Sequence, residues 1–269
     1  MRTRCFISLL FLIFMVCLFS CIPKEPSHLL TPATLDDDLI ARVFHPHRND
    51  ETMRAIARIT LDNSESSVSR RFAVAVNRPS KLRIESLPLF GPPDFFLSLC
   101  NDIFKVYIPE TSKFYVGNAT GINLFAFFNI NLSPAAITSL MAGTPPLLPN
   151  AATRLLGYYD REGRLRLDLL REEKVLQSLW LNVDLQISEL KIYEGTDATP
   201  LKAFFSGYQT APPHYTYPQK IEIIVEKPEK VTIDIRYKDV LVSHNDTASF
   251  FDLQVPPHLS PIYIDKDDR

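Results

Sequence analysis

Glycine and cysteine are scarce in this sequence, which has eight glycines and four cysteines among 269 residues. It contains no Gly-rich phosphate loop, no Gly-x-Ser-x-Gly nucleophile elbow and no His-Glu-x-x-His metal motif. The formal net charge is −2, and no long basic run follows the N-terminal region, so the chain lacks the electrostatic footprint of a nucleic-acid binder. The sequence therefore predicts no catalytic residue, no metal site, no cofactor and no nucleic-acid partner.

The N-terminus has the pattern of a secretory signal. Arg2 and Arg4 precede an apolar run from Cys5 to Phe19, and a small residue, Ser20, comes directly before Cys21. This order of charged, apolar and small residues is typical of a signal peptide, and the run is short for a membrane-spanning helix. Its end resembles the bacterial lipobox, which predicts a signal peptide at 1–20 and lipidation of Cys21. Cleavage elsewhere, with Cys21 an ordinary thiol, is the alternative.

After Cys21, the segment 21–33 is rich in proline and predicts an extended tether. Two features further on could be chemical sites. Cys100 is the cysteine that remains after the signal and the lipidated residue, and a small buried side chain is the preferred interpretation over a nucleophile. His45 and His47 flank a proline and could chelate a metal, but no third ligand is visible, so a solvated turn is preferred.

Beyond the tether, hydrophobic periodicity predicts a mainly β domain. Thr34 suits the N-cap of a first helix that Pro46 ends, and Ser133-Pro134 and Gly143 bracket another. A dense apolar segment, 122–128, predicts a helix between them. Elsewhere apolar residues alternate in short runs separated by turn residues, which favours antiparallel hairpins. The runs are Ile56–Leu61, Arg71–Val76, Lys81–Leu87, Asp94–Cys100, Ile103–Ile108, Arg164–Leu170, Val175–Leu181, Ile187–Tyr193, Lys202–Tyr208, Lys220–Val225 and Val231–Tyr237.

Four segments in this order resemble the LolA/LolB-like lipoprotein carrier superfamily, and LolB-like lipoproteins in particular. They are Arg78 to Glu85, Pro88-Leu89-Phe90-Gly91, Tyr107-Ile108-Pro109 and Leu140-Met141-Ala142-Gly143. The resemblance covers most of Met53 to Pro256. It implies a single-domain, incomplete (half-open) antiparallel β-barrel of about eleven strands capped by short helices. We assign this domain to 34–258 and a polar tail to 259–269.

The resemblance also implies two kinds of site residue. Leu89, with Phe90 beside it, matches the loop that LolB uses to insert cargo into a membrane, although both side chains could instead pack under the loop. Acyl chains need an apolar cavity with few charges. The candidate lining residues, each of which core packing would also explain, are Phe95, Leu97, Leu124, Phe127, Phe128, Ile137, Leu140, Trp180 and Phe204.

Three hypotheses for function follow. The first is a monomeric protein that is held by a palmitate-carrying acyl anchor on the periplasmic face of the outer membrane. It binds acyl chains of lipoproteins or lipids, receives them from a periplasmic carrier and acts as a transport chaperone. Ile22 after the lipidated cysteine, where Asp would signal inner-membrane retention, agrees with that location. The second is an envelope assembly lipoprotein that binds a protein partner without lipid. An envelope hydrolase ranks last, because no nucleophile pairs with a base.

Overall fold

The structure is a computed structural model that describes residues 31–128, 132–193, 201–226 and 229–265, with only the backbone described at 125–128. The predicted signal peptide, Cys21 and most of the tether lie outside these residues. In the part described, no helix has the length and apolar character needed to cross a membrane.

One continuous sheet organises the described chain. The order of hydrogen-bonded neighbours is β1-β8-β9-β10-β11-β12-β13-β14-β2-β3-β4-β5-β6-β7-β15, and all pairs are antiparallel except β7 with β15. The strands are β1 (Thr31–Pro32), β2 (Glu51–Asp62), β3 (Ser67–Asn77), β4 (Lys81–Ser86), β5 (Phe96–Cys100), β6 (Ile103–Ile108), β7 (Lys113–Asn118), β8 (Arg154–Tyr159), β9 (Leu165–Arg171), β10 (Lys174–Leu181), β11 (Ile187–Ile192), β12 (Leu201–Ala211), β13 (Tyr215–Val225), β14 (Val231–His244) and β15 (Ile262–Tyr263).

This architecture confirms the mainly β, incompletely closed fold that the sequence predicts. The strand count differs from about eleven because β1, β7, β8 and β15 were not predicted, and the two edge strands β1 and β15 have two residues each. β1 lies within the predicted tether, so the last part of that segment joins the sheet. Short edge strands leave few unpaired backbone groups for edge-to-edge association.

A 3₁₀ turn spans Pro109–Thr111, and α-helices lie at four places in the described chain. They are α1 (Asp37–Phe44), α2 (Gly121–Phe128), α3 (Pro134–Met141) and α4 (Ala248–Phe251). α1 begins later than predicted: Asp36, rather than Thr34, is its N-cap and accepts a hydrogen bond from the Leu39 amide at 2.8 Å. Its two acidic residues at 37 and 38 then occupy the first turn, where the helix dipole favours them.

α3 follows the predicted start and stop signals. The Ser133 side chain accepts a hydrogen bond from the Ala136 amide at 3.2 Å, and Pro134 takes the first helical position. After the helix, Gly143 has a φ of 70°, and a Cβ there would lie 2.3 Å from Pro218 Cδ. Glycine is therefore needed at Gly143 for its backbone angle and for the close contact with β13.

The C-terminal segment is part of the fold, which corrects the predicted polar tail at 259–269. Ile262 and Tyr263 form β15, and the Asp265 carboxylate accepts hydrogen bonds from the Asn118 amide at 2.9 Å and from Asn123 Nδ2 at 2.7 Å. Asn123 belongs to α2. The end of the described chain therefore ties α2 to the edge of the sheet.

Candidate functional site

An apolar cavity of about 450 Å³ lies between the inner face of the sheet and the helices α2 and α3. Strands β2, β3, β4, β5, β13 and β14 supply its walls. Its volume falls within the usual range for ligand pockets, about 300–1,000 Å³. The lining residues are Ile59, Leu61, Val68, Arg70, Phe72, Leu82, Ile84, Phe95, Leu97, Leu99, Leu124, Leu132, Ile137, Leu140, Met141, Ile223, Ile233 and Ile235.

The cavity has a buried end and an exposed mouth. At the buried end, Leu82, Leu99 and Leu140 have almost no contact with solvent. At the mouth, Val68 is 48% exposed and the Arg70 side chain is 56% exposed. A void with hydrocarbon walls and such an opening can hold an alkyl chain while the polar part of the molecule stays in water.

A buried hydrogen bond fixes α3 against the sheet. Tyr237, on β14, donates its phenolic hydrogen to the carbonyl oxygen of Met141 at 2.8 Å. Complete burial of Tyr237 raises the pKa of its phenol above the ordinary value, so the group stays protonated and remains a donor. This bond satisfies a carbonyl at the C-terminal end of α3 and holds Met141 at the cavity wall.

The structure brings five of the predicted lining residues together at this cavity. These are Phe95, Leu97, Leu124, Ile137 and Leu140. The backbone of Phe127 and Phe128 lies in α2, but their side chains are outside the described part of the structure. Most of the lining residues that sequence reasoning missed lie on β2, β3, β4 and β14. The signal that could have identified them is alternation, because every second residue of a strand lies on the same face of the sheet.

Trp180 and Phe204, by contrast, do not line the cavity but lie on the outer face of the sheet. The indole of Trp180 lies between the Arg166 guanidinium, 5.0 Å from the ring centre, and the Lys191 ammonium at 4.4 Å. Phe204 is 37% exposed, whereas the next residue, Phe205, is buried. Successive side chains of a strand point to opposite faces, and both predicted residues have the outward parity.

The loop between β4 and β5 starts and ends at the cavity wall. Leu89 and Phe90 lie at its tip and are 79% and 92% exposed, so neither side chain packs under the loop. At the base of the loop, the Ser86 hydroxyl accepts hydrogen bonds from the amides of Asp94 (2.9 Å) and Phe95 (3.1 Å). Two large apolar side chains therefore project into solvent next to the mouth of the cavity.

Asp94 carries an ion pair across this mouth. Its Oδ2 lies 2.9 Å from Arg70 Nη1, and its side chain is 43% exposed. The Ser86 side chain and the Arg70 guanidinium lower the pKa of the Asp94 carboxyl below its usual value. The carboxyl is therefore ionised at neutral pH and available to Arg70.

Both candidate chemical sites contain a side chain that packs against other parts of the fold. Cys100 is buried, its Sγ lies 3.6 Å from the Ala248 carbonyl oxygen, and burial raises the pKa of its thiol. Among the described residues, no three His, Cys, Asp or Glu side chains converge as metal ligands. His45 and Pro46 are exposed, as expected for a solvated turn, whereas His47 is half-buried. Its ring stacks on Tyr215, with 3.8 Å between centroids and 11° between planes.

Partial burial of His47 makes the stability of the protein depend on pH. Desolvation, followed by the charge of Arg78, lowers its pKa from 6.5 to about 3. Between pH 6.5 and 3, the His47 imidazole is protonated in the unfolded chain but neutral in the folded chain. We therefore expect the unfolding free energy to fall as pH drops from 6.5 towards 3. The slope from this residue is at most about 1.4 kcal/mol per pH unit. Urea denaturation at a series of pH values measures it.

A His47→Phe variant should lose this slope while keeping a ring to stack on Tyr215. The matched control is His45→Phe, which changes an exposed histidine two residues away and keeps the contribution of His47 to the slope. An equal slope in the wild type and in His47→Phe would contradict the assignment.

Two solved structures with similar folds place this architecture among known proteins. An outer membrane lipoprotein-sorting protein domain from Vibrio parahaemolyticus aligns with a TM-score of 0.55 at 13% identity, over 80% of this chain and 93% of that chain. A LolA superfamily protein from Nitrosomonas europaea aligns with a TM-score of 0.52 at 10% identity, over 80% and 95%. No family model and no curated protein matches the sequence. The chain therefore has a LolA-like fold, as the sequence resemblance implied.

Proposed function

We propose that this protein is a lipid-anchored lipoprotein of the outer membrane that binds acyl chains in its cavity and delivers them to the bilayer. The observation that carries the proposal is the apolar cavity, whose mouth adjoins the exposed Leu89 and Phe90. Each methylene group moved from water into such a cavity contributes about 0.8 kcal/mol. The cargo is the acylated end of a lipoprotein, or a lipid, and binding and release need no covalent chemistry.

The remaining parts of the proposal concern attachment and transfer. Acylation of Cys21 would hold the monomer at the periplasmic face of the membrane, since more than one acyl chain gives stable anchoring. A soluble periplasmic carrier would supply the cargo. The names of the two structural neighbours support a role in the envelope. The open cavity favours this function over an assembly lipoprotein, for which we expected an interior filled by side chains.

Leu89 and Phe90 have a role in delivery that is separate from binding. Their exposure gives the loop an apolar surface of the kind that marks membrane or partner contact. Replacing Leu89 with Glu would put a charge where the loop meets the bilayer, but it would not touch the cavity. We therefore expect Leu89→Glu to bind cargo normally and to transfer it to liposomes at least about tenfold more slowly, which corresponds to about 1.4 kcal/mol.

The described residues between Thr31 and Asp265 share one sheet and one main core, so the binding sample is protein beginning at Ile22, which keeps all of them. Native mass spectrometry with a fluorescent tri-acylated lipopeptide would measure binding, and dequenching in liposomes would measure transfer. The matched control is Val183→Glu, which changes another exposed apolar residue, 95% accessible, in a different turn. Absence of binding by the folded protein would favour the assembly role. If both variants slowed cargo transfer equally, the loop at Leu89 and Phe90 would have no special role in delivery.

A further inference from the structure

Among the described residues that line the cavity, Arg70 is the one charged side chain and the others are apolar. Arg70 is on β3, where alternation places it on the inner face with Val68 and Phe72, which also line the cavity. Arg71, the next residue, has the opposite parity. The guanidinium of Arg70 is therefore at the boundary between the hydrocarbon walls and solvent.

The partner of Arg70 in the structure is the Asp94 carboxylate, in an ion pair that is open to solvent. The Arg70–Asp94 pair measures 2.9 Å, and both side chains are roughly half exposed. Exposed ion pairs contribute little to stability, because water competes for both charges. Asp94 also lies outside the set of lining residues, so a second anion could take its place on Arg70 without entering the apolar interior.

We propose that the ligand of this cavity is an amphiphile with an anionic head, whose alkyl chain contacts the apolar walls while its phosphate or carboxylate binds Arg70 in place of Asp94. This inference rests on the proposed function and names the class of ligand for the same cavity. A guanidinium presents a planar fork of donors that matches a phosphate or carboxylate in two parallel hydrogen bonds. A few polar groups at the edge of an apolar pocket commonly set the orientation of its ligand.

Lysophosphatidylglycerol and monoacylglycerol of the same chain length test the proposal, because the first carries an anionic phosphate and the second has an uncharged head. Each would compete with an uncharged, polarity-sensitive alkyl fluorophore bound to protein beginning at Ile22, below micellar concentrations. We expect at least about tenfold tighter binding of the anionic lipid, and a smaller preference at high salt, which screens exposed charges.

Three variants assign this preference to Arg70. Arg70→Gln should bind the two lipids equally, because it keeps the length and loses the charge. Arg71→Gln is the matched control, with the same change on the opposite face of β3, and should keep the wild-type preference. Asp94→Asn should bind the anionic lipid several-fold more tightly, since it removes the competing carboxylate.

The outcomes separate this proposal from the function on which it rests. Equal binding of both lipids by the wild type would overturn the role of Arg70 and leave the carrier function standing. Absence of binding to either lipid while the tri-acylated lipopeptide still binds would overturn the anionic-head proposal alone, and absence of binding to all three would overturn both. Glycerol phosphate, the free head without a chain, should compete only weakly. If it bound as tightly as the lysolipid, the site would be one for a soluble anion and the assignment to a lipid would be wrong.

Discussion

An Ile84→Trp variant is expected to lose at least about 99% of its affinity for the tri-acylated lipopeptide and to remain folded. Ile84 lies on β4, lines the cavity and is half-buried between its strand partners Val74 and Leu97. An indole at this position would occupy space that the ligand needs. A hundredfold loss corresponds to about 2.7 kcal/mol, the equivalent of about three or four buried methylene groups. Titration followed by native mass spectrometry would measure the loss.

Folding must be checked separately, because added volume in a packed core is destabilising. At Ile84 the added atoms would enter an existing void, and partial exposure should leave the indole N–H in reach of water. We therefore expect a melting temperature close to that of the wild type. Ile224→Trp is the matched control, since Ile224 is half-buried on the outer face of β13. Wild-type affinity in a folded Ile84→Trp would show that the ligand binds elsewhere.

The hairpins could be predicted because local chemistry determines them. Asn101 and Asp102 form the turn between β5 and β6, and both have positive φ angles, which asparagine and aspartate tolerate better than most residues. Alternation of apolar residues fixed the type of the neighbouring elements. Ser133 and Gly143 likewise marked the ends of α3 by capping, which depends on a few adjacent residues.

Two of the strands that were missed contain a glycine where another segment crosses them. A Cβ at Gly117 in β7 would lie 2.4 Å from Ile264, and one at Gly157 in β8 would lie 2.6 Å from Leu35. Glycine interrupts the alternating pattern and is unfavourable within a strand, so it hides the element from sequence reasoning. Each glycine is needed because a residue more than a hundred positions away in the sequence packs against it. A pattern of neighbouring residues cannot show such a contact.

The candidate cavity was predictable only in part, for a related reason. Composition indicated which side chains were large and apolar, but the face on which each one lies depends on strand register. Phe204 and Phe205 are adjacent and chemically identical, yet one faces outward and the other is buried. Arg70 was missed because the search for lining residues considered only apolar side chains. Its place at the cavity follows from the structure, in which Val68 and Phe72 on the same face of β3 also line the cavity.

A Phe251→Ala variant is expected to lower the unfolding free energy by about 3–5 kcal/mol, the usual cost of removing a buried phenylalanine ring. Phe251 is fully buried against Ala75 and Cys100 on the outer face of the sheet, in a small second core. Its carbonyl oxygen accepts a hydrogen bond from the Ser98 hydroxyl at 2.5 Å. Since domains are commonly stable by only 5–15 kcal/mol, this loss should be evident in urea denaturation.

The adjacent ring provides the matched control. Phe250 is only partly buried and lies under the guanidinium of Arg54, 4.1 Å from the ring centre, and near that of Arg83 at 5.6 Å. Phe250→Ala should cost about 1–2 kcal/mol, because it removes two partly exposed cation–π contacts and little buried area. Equal and small losses in both variants would show that the C-terminal segment is only loosely attached. A large loss of unfolding free energy in Phe251→Ala alone would show that the segment packed on the outer face stabilises the sheet. The inner face of the same sheet forms the cavity.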